Sequence, residues 1–136
     1  MTGEVARTLF GCQVRSNIAF YDFASYGSQL VVNLGSGGTN YFYNPVNVFR
    51  DPSAWYHFVI AVDTTQSTAS NRCLVYVNGT LITSSAGPAG ISYPTQNWDT
   101  DINTTSLHTI GIYPDAVSNP FDGYMADINF IDGQAL

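Results

Sequence analysis

Lysine is absent from this chain, and glutamate occurs once, at Glu4. All of the fixed positive charge comes from four arginines, while ten carboxylates bring the formal net charge to −6 at pH 7. The arginines are scattered along the chain, at Arg7, Arg15, Arg50 and Arg72. Binding to a nucleic-acid backbone or to an anionic membrane needs a concentration of positive charge that so few arginines cannot supply. We therefore expect neither nucleic acid nor membrane as a partner.

Long apolar runs are also lacking. No stretch approaches the roughly 20 residues of a membrane-spanning helix, and residues 1–7 have no apolar signal-peptide core, so we expect neither insertion nor secretion. The two cysteines, Cys12 and Cys73, are far apart in sequence and have no histidine at ligand spacing, which excludes a zinc site. They form either one disulfide or two buried free thiols. The absence of a secretion signal favours the free thiols.

The chain is nevertheless rich in core-forming residues. Apolar residues make up 45% of it and aromatic residues 14%, whereas charged residues make up only 10%. A chain of 136 residues with this composition can bury a sizeable core. We predict a single globular domain over residues 1–136.

The clearest structural signals lie between residues 55 and 83. Residues 55–63 (WYHFVIAVD) are β-branched and aromatic without proline or glycine, which predicts a strand buried on most of both faces and central to the fold. Residues 64–71 are polar and predict a loop. Asn78-Gly79 then separates two further strand-like runs and is typical of a type I′ hairpin turn, because both residues accept positive φ. The pattern predicts three adjacent antiparallel strands.

Strand patterns recur on both sides of this region, and no stretch has a helical period. The predicted strands outside it cover residues 7–15, 17–23, 26–34, 40–44, 107–112 and 121–131. The longest irregular region, residues 84–105, contains two prolines and two glycines, and loops of this length are often functional. Short strands separated by turn signals predict an all-β fold, an antiparallel β-sandwich of the jelly-roll type.

Alternation assigns a core face in two of these strands. In residues 17–23 it places Ile18 and Phe20 on one face and Ala19 and Tyr21 on the other. In residues 121–131 the core face is formed by Tyr124, Ala126, Ile128 and Phe130.

Three motifs in a fixed order resemble a known superfamily. They are residues 55–63, residues 74–79 (LVYVNG), and Ile110-Gly111 followed by residues 121–128 (FDGYMADI). Together they resemble the laminin-G-like modules of the concanavalin A-like lectin/glucanase superfamily, with similarity over residues 50–136. The resemblance implies a concanavalin A-like jelly roll in which residues 121–128 form the closing strand.

One branch of that superfamily is closer still. Residues 51–57 (DPSAWYH), 63–66 (DTTQ) and 130–136 (FIDGQAL) are similar to laminin-G-like modules in structural proteins of tailed bacteriophages. The resemblance implies a virion location, as a capsid decoration, tail or fibre component that contacts other virion proteins, with attachment to surface glycans as a further role. Members usually have one more strand before residues 8–14. Here the chain is either a compact version or receives that edge strand from a neighbouring protein.

Catalysis is the less favoured interpretation. Hydrolases of the superfamily have an E-x-D-x-x-E strand whose two carboxyl groups lie about 5 Å apart. This chain offers only Glu4, and its closest aspartate pair, Asp99 and Asp101, lies in a predicted loop. No nucleophile elbow accompanies His57 or His108. We expect His57 to be packed within its strand and His108 to face solvent. The sequence predicts no catalytic residues and no enzyme.

Calcium is the one cofactor that the residues leave open. Asp99, Asp101 and Asn103 alternate in one loop, and relatives hold Ca²⁺ with such oxygen ligands, of which the ion takes six to eight. Asx-turns explain the same pattern. The lack of a glycine hinge and of a terminal glutamate favours the turns, so no cofactor is expected and Ca²⁺ stays the alternative.

A sugar-binding site is the competing functional hypothesis, that of a free-standing lectin. Aromatic rings stack on sugar faces, and amide or carboxylate groups bond the hydroxyls. The candidates are Trp98, Tyr93, Asn97, Asp99 and Tyr113. Trp98 is central to this hypothesis because it lies in the longest loop between Asn97 and Asp99. The alternative is that Trp98 caps the sandwich core.

Overall fold

The computed structural model describes residues 5–13, 16–23, 27–35, 42–43, 49, 51, 53–83, 91–114 and 119–134. These residues form two antiparallel sheets and one 3₁₀ turn, Ala69–Asn71, and they contain no α-helix. The predicted antiparallel β-sandwich is thereby confirmed. Within the described ranges, no helix has the length and hydropathy to cross a membrane.

Eight strands of the described residues build the two sheets. In chain order they are β1 (Val5–Cys12), β2 (Asn17–Phe23), β3 (Gly27–Asn33), β4 (Phe42–Tyr43), β5 (Phe58–Val62), β6 (Cys73–Val77), β7 (Thr80–Leu81) and β8 (His108–Ile110). The larger sheet has the order β4-β3-β2-β1-β8 and the smaller sheet β5-β6-β7. Parts of the predicted strands, at residues 14–15, 26, 40–41 and 44, lie outside the described residues, as do residues 84–90 of the predicted irregular region.

The centre of the larger sheet follows the predicted alternation. β2 and β3 pair along their whole length, and Ile18 and Phe20 lie opposite Val32 and Leu30. Because directly opposed residues share a face, these four apolar side chains point towards the second sheet. Ala19 points to the other face, as predicted. β1 pairs with β2 through an irregularity between Thr8 and Phe10, after which Phe10 lies opposite Ile18 on the inner face.

The smaller sheet is the predicted three-stranded unit. Asn78 and Gly79 have φ angles of 50° and 77°, the signature of the type I′ turn. The Asn78 amide donates to His57 O and the His57 amide donates to Asn78 Oδ1, both at 2.8 Å. Asn78 therefore also connects His57, the residue before β5, to the hairpin turn.

The core lies where β3 faces β6. Leu30, Val32 and Leu34 meet Cys73 and Val75, and all five are at most 4% exposed. Beside them, three rings pack edge to face with centroid distances between 5.3 and 5.8 Å: Phe20, Phe49 and Phe58. Such aromatic pairs add roughly 0.5–1.5 kcal/mol each beyond their buried area. These contacts place β5 opposite β2.

The two sheets differ in width, which leaves part of the larger sheet uncovered. With β6 over β3 and β5 over β2, no described strand faces β1 and β8 from the second layer. A non-strand stretch, residues 122–134, lies there instead, and we refer to it as the C-terminal segment. Phe130 stacks on Phe10 at 6.1 Å, and Met125 approaches Gly111.

The prediction that residues 55–63 form the central, doubly buried strand is wrong. The strand begins only at Phe58, Trp55 is 69% exposed, and β5 pairs with β6 alone among the described strands. A strand at the end of a sheet keeps one side in solvent however apolar its sequence is. The apolar residues 58–62 therefore form an edge strand of the smaller sheet and not a central strand.

The predicted closing strand over residues 121–131 is also wrong. No strand forms there, and its predicted core face is exposed, with Tyr124, Ile128 and Phe130 at 88%, 52% and 57% and Ala126 also exposed. Asp127 has a φ of 52°, in the left-handed region. One left-handed residue breaks the pleat on which alternation depends, and aspartate tolerates that conformation better than most residues.

The favoured interpretation of the cysteines is confirmed. Cys12 and Cys73 are both free, and they are 0% and 4% exposed. The Cys12 thiol donates to Asp101 O at 3.3 Å. Burial raises the pKa of the Cys73 thiol to about 12. A thiol held neutral in this way is a poor nucleophile.

Candidate functional site

The residues predicted to bind a sugar do not all line one cleft. Trp98 packs against the core cluster and Tyr93 is partly buried, and burial raises the pKa of Tyr93. Asn97 is exposed in the left-handed region, with φ 58°, and its amide donates to Thr64 O at 2.9 Å. Trp98 and Asp99 line a cleft of about 2630 Å³ that β5 and the C-terminal segment border, whereas Tyr93, Asn97 and Tyr113 do not line it. The core-capping role of Trp98 is thus the one its contacts favour.

The residues predicted as metal ligands are likewise divided. Asp99 and Asn103 line the cleft, but Asp101 does not. An Asp101 carboxylate oxygen accepts from Ser16 Oγ at 3.4 Å, and its carbonyl oxygen accepts from Thr104 Oγ1 at 2.8 Å. In the described ranges, no three His, Cys, Asp or Glu side chains form a group able to hold a metal ion. Two hydroxyls of the loop, those of Thr100 and Thr104, bond to its own backbone, while the Asp101 carboxylate bonds to Ser16 outside it.

Both histidines differ from expectation. His57, predicted to be packed within a strand, is exposed and precedes β5. His108, predicted to face solvent, is partly buried beside the Phe10 ring. Its Nδ1 lies 2.7 Å from Ser106 O, so this nitrogen donates, while Nε2 is buried without a partner among the described residues. The reason is register, because pairing of Cys12 with His108 turns the imidazole to the inner face.

The outer edge of β5 is the first part of the site that the fold assembles. His57 and Asn78 exchange a hydrogen bond across the ladder, and the Asp63 amide donates to Arg72 O at 3.0 Å. In an antiparallel pair, every second residue bonds to the neighbouring strand. The backbone N–H and C=O groups of Phe58, Ile60 and Val62 therefore point away from β6, and no described strand pairs with them.

The C-terminal segment is the second part. Past Phe121, whose amide donates to Gly111 O, it makes no backbone-to-backbone hydrogen bond to another described residue. Five large apolar side chains in it are exposed: Tyr124, Met125, Ile128, Phe130 and Ile131. A segment that exposes apolar side chains and makes no backbone bonds to described neighbours offers a surface that another chain can cover.

β5 and the C-terminal segment line one cleft of about 2630 Å³. Its apolar floor comes from the uncovered inner face of the larger sheet and includes Phe10 and Ile110. Clefts for small ligands usually measure about 300–1,000 Å³, so this one is closer to the scale of a polypeptide. The exposed side chains of Trp55 and Ile128 also line it.

The cleft is predominantly acidic. Six aspartates line it, namely Asp51, Asp63, Asp99, Asp122, Asp127 and Asp132, against Arg7 and His57 as the basic residues of the lining. Hydrogen bonds from Ser53 lower the pKa of Asp51, and those from Thr65 and Gln66 lower the pKa of Asp63. Both carboxylates are consequently charged well into the acid range.

The other described arginine is bound to the backbone of two loops. Arg72 donates to Gln66 O, Ser67 O and Pro94 O at 2.8, 2.9 and 3.0 Å. Its planar fork fits three carbonyl oxygens in a way that a lysine could not. Arg72 thereby fixes the loop that follows β5 and does not line the cleft.

Sequence reasoning missed the open edge and the acidic cleft. The signal that could have found them is Asp122, which alternation places on the same face as Tyr124 in the predicted closing strand, since a charge on a core face argues against burial. Comparison of the chain with family models, curated proteins and solved structures finds no match. The resemblance to laminin-G-like phage modules accordingly stays a prediction based on its motifs.

Proposed function

We propose that this chain is a non-enzymatic structural component of a tailed-bacteriophage virion that acts by contacting other virion proteins. The observation that supports the proposal is the open edge of β5 facing, across one cleft, a C-terminal segment with five exposed apolar side chains. Soluble proteins rarely leave contiguous apolar surface and a bare strand edge together unless another chain covers them. Low charge density and many aromatic residues suit such a contact.

Immunogold electron microscopy tests this proposal. Antibodies against the chain should label a fixed position on purified particles of the phage that encodes it, either on the capsid, the tail or the fibres. The same antibodies on particles of an unrelated phage provide the control. Detection of the chain only in the soluble fraction of the lysate, with no gold label on the particles, would contradict the proposal.

A free-standing lectin is the second candidate, and one observation favours it. Trp55 is 69% exposed at the border of the cleft, and an exposed indole beside carboxylates can stack on a sugar ring. A glycan array separates the two functions. Sugar-specific binding that is lost in Trp55→Ala and kept in Trp55→Phe would support the lectin, whereas the virion proposal expects no binding to the array.

A further inference from the structure

The smaller sheet has room for one more strand, and its position is defined. A strand added beside β5 would lie in the cleft between β5 and the C-terminal segment, where the second layer has no described strand. There it would pair with the outward backbone groups of Phe58, Ile60 and Val62. Its inner side chains would contact Ile110, which is 55% exposed, beside the stacked rings of Phe10 and Phe130. Addition of a strand to an exposed edge is a common mode of peptide recognition.

The charge of the cleft determines which strand fits. Six aspartates and one arginine line it, so an acidic segment would be repelled and a basic one attracted. A second copy of this chain is a poor candidate, because residues 121–134 carry three aspartates and no lysine or arginine. The exposed fractions of Trp55, Tyr124 and Phe130 alone offer roughly 400 Å², about half of what one partner of a standard interface buries.

We propose that the cleft between β5 and the C-terminal segment accepts an extended segment of another protein, apolar at alternate positions and carrying lysine or arginine at the positions between. The inner, apolar residues contact the floor of the cleft, and the basic residues lie among Asp63, Asp99, Asp127 and Asp132 at its borders. This inference rests on the proposed function, since it identifies the surface and the chemistry of the virion contact.

A pair of synthetic peptides tests the inference directly. One alternates valine with lysine and threonine, and the other has glutamate at each lysine position. Isothermal titration calorimetry with the full chain should show one-to-one binding of the basic peptide and at least roughly tenfold weaker binding of the acidic one. Raising the salt concentration should weaken the basic complex. Equal binding of the two peptides, or binding of neither, would overturn the inference.

Val62→Pro locates the interaction at the open edge. Val62 is 37% exposed and its N–H points away from β6, so proline removes an outward donor without removing a ladder bond. We expect at least a tenfold loss of affinity for the basic peptide, whereas the matched control Val62→Thr keeps affinity within about twofold. Circular dichroism melts of both variants establish that they are folded.

Asp127→Asn with Asp132→Asn keeps the backbone, because asparagine also accepts the left-handed conformation of Asp127, and tests the charge separately. This double variant should bind the basic peptide more weakly and with a smaller salt dependence.

If light scattering instead shows a dimer of the unmodified chain that Val62→Pro dissociates, the occupant is a second copy and the basic segment is excluded. Gold labelling of particles without peptide binding would overturn this inference alone, whereas peptide binding without labelling would overturn the virion proposal alone.

Discussion

Gly79 shows how far a single residue controls the smaller sheet. Its φ of 77° suits glycine, and a Cβ atom built there meets nothing within 4 Å, so a substitution is opposed by backbone conformation alone. Gly79→Val should cost about 1–2 kcal/mol and lower the melting temperature by several degrees, roughly 3–8 °C. The control Gly79→Asn should lose less, since asparagine occupies this region more readily. Equal melting temperatures of the two variants, measured by circular dichroism, would contradict the type I′ turn.

Cys73 links residue chemistry to stability at high pH. Burial raises the pKa of its thiol from 9.0 to about 12, so the unfolded chain loses this proton before the folded one does. The stabilisation is complete below pH 9 and is lost as the pH rises towards 12, at up to about 1.4 kcal/mol per pH unit. Urea unfolding between pH 8 and 11 should show this decline, and Cys73→Ala should reduce it. A parallel decline in both proteins would show that other groups cause it.

At the level of elements, the C-terminal segment and β2 offer matched phenylalanines with opposite surroundings. Phe20 packs against Phe49 and Phe58 between the sheets, whereas Phe130 is 57% exposed and stacks on Phe10. Phe20→Ala should destabilise by about 3–5 kcal/mol. Phe130→Ala should cost no more than roughly 1.5 kcal/mol, the value of one exposed ring pair. Urea denaturation measures the free energy of unfolding of both variants. An equal loss of stability in Phe130→Ala and Phe20→Ala would indicate that residues 121–131 form the buried closing strand after all.

The sequence pattern of the C-terminal segment illustrates why an element cannot be read from alternation alone. Period-two hydrophobicity states that a chain can form one face of a sheet, but not that a neighbouring strand is present to receive it. Here Asp127 turns the chain into the left-handed region, and the segment crosses the inner face of β1 and β8 instead of pairing. The same apolar residues that predicted a core face therefore border a cleft.

For the whole molecule, the unequal width of the sheets predicts an uneven distribution of local stability. β2, β3 and β6 have strand neighbours on both sides and form the centre of the sandwich, while β8 is a three-residue edge and residues 122–134 have no described backbone partner. Amide hydrogen exchange should be slowest at Leu30, Val32 and Val75 and fastest along residues 122–134. The unfolded chain at the same pH supplies the intrinsic rates. Protection of residues 124–130 as strong as that of β3 would contradict the open cleft.

The sequence by itself determined the fold class, most strand positions and the β5-β6-β7 unit, and the absence of a secretion signal favoured the two free thiols. The strand positions depend on local signals: alternation in residues 17–23 and positive φ at Asn78-Gly79. Each signal is complete within a few neighbouring residues, so no knowledge of distant parts of the chain is needed.

Only the tertiary structure decided which strands are edges and which polar groups come together. Residues 55–63 were predicted to be central because the sequence records how apolar a strand is and not how many neighbours it has. The choice between a sugar-binding and a core-capping Trp98 stayed open in the sequence because its contacts with the core are long-range. The acidic cleft joins aspartates from positions 51 to 132, far apart in the chain. Sheet order and layer width arise from the packing of the whole chain, and the candidate site is a consequence of both.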